Sequence, residues 1–290
     1  MLGHFHLDII QYPSRLNPSA ELALCLMLCR LSSPSRYKDR LHLFGRSRSW
    51  CSVVFNTVIC YLASRYREKL LWDHNRLSLC CLQQYAHAIS LAGGPKGIWG
   101  FVDGTLKVIC RPGQEQRQFY TGYKKAHAIK WQAIKTPDGL ISSLAGPFEG
   151  RLGDWLVWQQ SGLEGILRIL FTHLPAEKRL YLYGDAAYSL SFAVLGGYKA
   201  RVNHELNDAE REYNEQMSKY RIAVEHGFGK VVNLWSFIAF RNGLKIGLSP
   251  VAAYYSVAVL LTNIHTCFNS SQTNSQFDLP PPSLAMYLEL

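Results

Sequence analysis

Four acidic residues stand where a carboxylate needs a reason. Asp103 lies in GFVDG, inside an apolar run that reads as a strand. A charge there is costly unless it is paired or holds a metal, although Asp-Gly is also a plain hairpin-turn dipeptide. Asp185 ends the strand-like RLYLYGD, at a strand-to-helix turn that suits Asp by itself. Glu225 sits in KYRIAVEHGFG, four residues after Arg221, a spacing that also makes a routine surface ion pair on a helix. Asp154 opens a helical stretch, where an acid meets the positive end of the helix dipole. Each acid has a structural explanation alone. Together they are hard oxygen donors of the kind that hold Mg²⁺ or Mn²⁺ rather than zinc or copper. Two such ions about 4 Å apart can polarise a phosphate, activate the attacking oxygen and steady the leaving one.

The elements that must position these acids follow from periodicity and breakers. Residues 19–31 are apolar nearly all round and read as a buried helix capped by Ser19. Pro34 breaks the chain, a second helix covers 36–44, Gly45 stops it, and a third helix runs from Ser47 or Ser49 to about residue 64. Three helices with tight turns and a basic face are helix-turn-helix-like, with Arg46 and Arg48 toward a nucleic-acid backbone. An ordinary helical cap on a larger domain fits the same pattern. A fourth helix covers 75–91 and ends at the linker AGGPKG. Beyond it the period changes to strands at 98–103, 106–110, 126–135 and 140–145, with TPDG (136–139) as a hairpin turn. Helical periodicity returns at 152–171, a short strand follows at 179–183, and 207–229 is a long helix opened by an Asn207/Glu210 capping box. The last helix covers 250–267, and the polar, Pro-rich stretch after it reads as loose. The predicted organisation is a helical unit over 1–95, an α/β domain over 96–268 and a flexible tail over 269–290. An acid on the first strand, one after the crossover helix and one on a later helix reproduce the carboxylate arrangement of a ribonuclease-H-like core, a mixed sheet flanked by helices.

Charge and composition narrow the partners. The chain of 290 residues has 31 Lys and Arg against 21 Asp and Glu. Residues 1–99 hold 12 of those bases and 5 of the acids, including the tight group Arg36, Lys38, Arg40, Arg46 and Arg48. Such a face is either a solvated helix surface or a match for phosphates. Lys124, Lys125, Lys130 and Arg151 lie near the candidate acids in sequence and could hold the backbone of a scissile strand. The cysteines form no C-x-x-C and no zinc-spaced cluster, so buried free thiols in a reducing compartment are expected. No apolar run reaches the ~20 residues of a membrane span, and the N-terminus lacks a secretory pattern, so a soluble intracellular protein is expected. The absence of G-x-S-x-G, G-x-x-x-x-G-K-[ST] and G-x-G-x-x-G leaves serine hydrolases, P-loop NTPases and dinucleotide enzymes without support.

The stretches VDGTLKVICRP (102–112), FYTGYKKAHAIKWQAIKTPDG (119–139), GPFEGRLGD (146–154), YGDAAY (183–188), YNEQMSKYRIAVEHGFG (213–229) and LLTNIHTC (260–267) resemble, in this order, the PIF/Harbinger family of DDE transposases and the nucleases derived from them. ELALCLMLCRLSSPSRY and FGRSRSW look similar to the same family, so the resemblance runs from about residue 19 to 268. It implies a ribonuclease-H-like fold, divalent-metal endonuclease or transposase chemistry on DNA, and a nuclear location. It also implies a Myb-like DNA-binding partner protein and leaves assembly as a homo-oligomer open. Carried over by position, Asp103 matches the first family aspartate and Glu225 the terminal glutamate, while Asp154 and Asp185 both match acidic positions and compete for the middle role. Gly153 and Tyr123 depart from the family pattern, which often has His at both places; neither departure removes a carboxylate. The alternative is a domesticated, non-cleaving DNA- or partner-binding protein on the same fold.

Overall fold

In a computed structural model of the chain, residues 2–200 and 205–289 are described; the side chains at 2 and 223–225, that of Glu225 included, lie outside the described residues. Helix α1 (Ala20–Ser32) starts at Ser19, whose hydroxyl accepts from the Leu22 N–H, as its sequence position requires. The expected second helix is much shorter: a 3-10 turn, Tyr37–Asp39, and a single helical turn, Leu41–Phe44, ended by Gly45 in the left-handed region. Helix α2 (Arg48–Arg65) follows the Ser47 cap, and α3 (Leu79–Leu91) follows the Ser78 cap.

Strand β1 (Ile98–Val108) is one continuous element where two were expected. Asp103 pairs with Ala133 and Gly104 with Gln132 inside its ladder, so this Asp-Gly makes no turn. After β1 come the two-residue β2 (Tyr120–Thr121), β3 (Ala126–Lys135) and β4 (Ile141–Glu149). The 152–171 stretch splits into α4 (Asp154–Gln160) and α5 (Leu163–Leu170) because Gly162 takes a left-handed φ of +74° between them. Then follow β5 (Tyr181–Tyr183), β6 (Val194–Leu195), α6 (Asp208–Leu234) and α7 (Val251–Asn269). The capping box at Asn207 and Glu210 is formed as the sequence predicts.

The six strands make one mixed sheet. β3 lies antiparallel between β1 and β4, and β5 and β6 continue parallel to β1 on its other side. β1 turns alternate residues to opposite faces. Phe101 belongs to an apolar cluster with Met217 of α6 and Ile89 of α3, whereas Val102 belongs to another with Trp158 of α4 and Leu167 of α5. This helix-flanked mixed α/β sheet is consistent with the ribonuclease-H-like core expected above. A further apolar cluster joins α1, α2 and α7 to Ile129 and Trp131 of β3, so the N-terminal helices and the sheet share core.

Two expectations need correction, the burial of the cysteines and the looseness of the tail. Of the eight cysteines only Cys51 is buried; Cys25, Cys60 and Cys80 are exposed. α7 is long and apolar enough by composition to cross a membrane, and 67% of its 18-residue apolar window is buried in the protein, as in a core helix. The stretch read as a loose tail holds α8 (Gln272–Phe277) and α9 (Leu284–Leu288), which bury Phe277, Tyr287 and Leu288.

Candidate active site

A cleft of about 770 Å³ opens beside β1, and Asp103, Asp154 and Asp185 all line it. Each arrives by a different route. Asp103 projects from the middle of β1. Asp185 follows directly on β5, the strand parallel to β1. Asp154 is the first residue of α4, set by the loop that returns from β4. Gly104 makes the last approach feasible: a Cβ there would collide with Asp154 Oδ1.

The carboxylates are individually anchored. Asp103 Oδ1 accepts the Gly104 N–H at 2.8 Å, and its Oδ2 lies 3.4 Å from Arg221 Nη1 of α6. Asp154 Oδ1 is 3.1 Å from Lys130 Nζ of β3, which also donates to the Leu152 carbonyl at 2.8 Å. Asp185 Oδ1 accepts the Ala187 N–H at 2.8 Å. Burial pushes the Asp103 carboxyl up to about 6; the Gly104 N–H and Arg221 oppose that rise, and the Asp185 and Asp154 carboxylates add to it. The three acids therefore share one electrostatic environment.

Beneath them, Gln132 Nε2 donates to the Tyr188 hydroxyl at 2.9 Å and reaches the Asp154 carbonyl at 3.4 Å, tying β3, α4 and the segment after β5 together. Sequence reading passed over Gln132 and Tyr188. The signal that could have found them was a polar residue in the middle of the apolar run IKWQAIK. Arg221 was read only as the partner of Glu225; the structure adds that its guanidinium reaches Asp103.

The predicted backbone-binding bases divide. Lys124, Lys130 and Arg151 line the cleft, but Lys130 is engaged with Asp154 and Arg151 lies 2.7 Å from Glu149. Lys125, Arg46 and Arg48 are exposed and are not among the cleft-lining residues. Arg46 sits over the Trp50 ring at 5.4 Å, at the start of α2. Glu225 falls within α6 one turn beyond Arg221, but its side chain lies outside the described residues.

Aspartate oxygens in a shared cleft are the donor set a hard divalent cation selects. Among the described residues, no three His, Cys, Asp or Glu side chains are grouped closely enough to hold a metal as they stand. The donor chemistry thus fits, while Arg221 and Lys130 now sit on two of the three carboxylates.

A family model described as DDE superfamily endonuclease matches residues 102–263, from one residue before Asp103 through Asn263 of α7. Neither the curated proteins nor the solved structures compared with the chain gave a match. Enzymes of this superfamily generally use divalent metal ions. The matched span covers more than half of the chain and contains all four candidate acids, so the chain belongs to the DDE superfamily endonuclease family.

Proposed function

We propose that this protein is a Harbinger-type DDE endonuclease or transposase that hydrolyses DNA phosphodiesters at the Asp103–Asp154–Asp185 cleft. The observation that carries the reading is the convergence of three aspartates, from β1, α4 and the end of β5, on one cleft inside the matched span. Asp103, Asp185 and Glu225 would hold Mg²⁺ or Mn²⁺, with Asp154 as a further ligand. The bound ions would supply charge for the scissile phosphate and a more acidic attacking water. Lys124 and Arg151, on the cleft wall, offset the repulsion between carboxylates and an incoming phosphate backbone. Gln132 and Tyr188 hold the α4 start in register with β3. If hydrolysis frees a 3′-hydroxyl, the same site can direct it to a second phosphodiester as strand transfer.

Further parts of this proposal extend beyond the cleft: a nuclear location, and a Myb-like partner that brings the enzyme to its DNA. Assembly as a homo-oligomer is compatible with it. The exposed Arg46 and Arg48 at the start of α2 would contact DNA backbone, as in a helix-turn-helix-like unit.

The alternative is a domesticated, non-cleaving DNA- or partner-binding protein. One observation favours it: Arg221 and Lys130 already ion-pair with Asp103 and Asp154. Nicking of supercoiled DNA in Mg²⁺ or Mn²⁺ decides between the two. The nuclease reading expects metal-dependent nicking that is lost in Asp103→Ala, Asp185→Ala and Glu225→Ala and weakened in Asp154→Ala. Tight DNA binding with no metal-dependent nicking, also in the presence of a Myb-like protein, would favour the alternative.

A further inference from the structure

A second cavity lies away from the acids, where the end of β3 meets α6, the end of α7 and the start of α8. Its volume is about 600 Å³, and among its described lining residues are Lys135, His226, Lys230 and His265 but no Asp or Glu. Lys135 is only 4% exposed and donates its Nζ to the Gly139 carbonyl at 2.5 Å. Gly227 keeps the space beside that ammonium open, since a Cβ there would stand 3.3 Å from Lys135 Nζ. Lys230 Nζ donates to Thr266 Oγ1 at 2.9 Å and lies 3.3 Å from the Ser270 carbonyl, so its partners are neutral. His265 Nδ1 is buried with no hydrogen-bond partner.

The positive groups are close enough to repel. Burial, with Lys230 acting the same way, lowers Lys135 to about 7; burial and Lys230 also lower His265. Among the described residues Asp138 is the acid that acts on Lys135, and it is already bonded by Arg76 at 2.9 Å and Tyr85 at 2.6 Å. A roomy, largely apolar cavity that gathers several basic donors, with no lining carboxylate among the described residues, is complementary to an anion.

We propose that this cavity is a second phosphate-binding site, separate from the acidic cleft, in which Lys135, Lys230 and His265 hold a phosphate group, with His226 at its mouth. The shared chemistry is the phosphate, carried either by the DNA backbone or by a small phosphorylated ligand. The inference does not depend on the nuclease reading, because a non-cleaving protein would carry the same cavity.

Inorganic phosphate is the probe. The full chain is titrated with phosphate against chloride at constant ionic strength, followed by calorimetry and by melting temperature. Saturable phosphate binding is expected in the wild type, weakened about tenfold or more in Lys230→Gln and in His265→Gln, from the loss of a charge-assisted or buried donor. His226→Gln, at an exposed position, gives a smaller loss and guards against misfolding of the buried variants. Lys178→Gln, at an exposed position outside both cavities, leaves phosphate affinity unchanged. A DNA duplex that displaces the phosphate assigns the site to the backbone; failure to displace it assigns the site to a small ligand. No saturable binding in the wild type, or equal binding in all four variants, overturns the proposal.

Discussion

A carboxyl that burial pushes up to about 6, beside two other carboxylates, holds its proton longer in the folded protein than in the unfolded chain. For Asp103 the stability contribution is therefore full below the ordinary carboxylate range and is lost as pH rises through about 6. Asp103→Asn removes that loss. Without metal, the variant should gain stability over the wild type between about pH 4 and pH 7, by at most ~3 kcal/mol. Denaturant melts at several pH values check this, and a constant gap across that range would remove Asp103 as the titrating group. Gly104 makes a different test at the same scale. Its missing side chain is what lets Asp154 approach β1, so Gly104→Ala displaces a candidate ligand. Nicking should fall by about 10²-fold, the cost of misplacing a site group by about an ångström, with the fold retained by circular dichroism.

The order of helices and strands was legible where a local signal decided it. β3 spans the residues its alternation predicts, and α6 begins at the capping box written in Asn207 and Glu210. Local signals failed where tertiary contact overrode them. Asp103-Gly104 has turn chemistry, but ladder pairing with Ala133 and Gln132 keeps it extended. Arg221 has helix-pair spacing to Glu225, and that spacing gives no sign that the packing of α6 near β1 also brings its guanidinium to Asp103. The TPDG turn was visible, whereas its burial was not. Asp138 of that turn accepts from Arg76, Tyr85 and Thr136, and Arg76 also donates to Ser142 at 2.7 Å. This network fastens α3 and the segment before it to the β3–β4 hairpin. Arg76→Ala leaves Asp138 buried without its cation and should cost about 3–5 kcal/mol, measured by equilibrium denaturation. A loss under 1 kcal/mol would mean that water reaches Asp138 freely.

The N-terminal helices and the sheet are joined by one apolar cluster containing Met27, Phe55, Val58, Trp131 and Tyr255. Removing residues 1–92 would expose that surface, so a truncation reports on folding as much as on DNA binding. Point changes are cleaner because Arg46 and Arg48 are exposed. If they neutralise phosphates, Arg46→Gln with Arg48→Gln should reduce the salt slope of DNA binding by about one for each phosphate no longer neutralised, and weaken all sequences alike. An unchanged slope would leave α2 as a structural cap. For the molecule as a whole, the most direct measurement is Mn²⁺ binding by electron paramagnetic resonance, comparing the wild type with Asp103→Asn and Asp185→Asn near neutral pH. Saturable binding in the wild type, weakened at least tenfold in both variants, is the result expected of a carboxylate metal site. Equal Mn²⁺ binding by all three proteins would show that the Asp103–Asp185 cleft is not the metal centre.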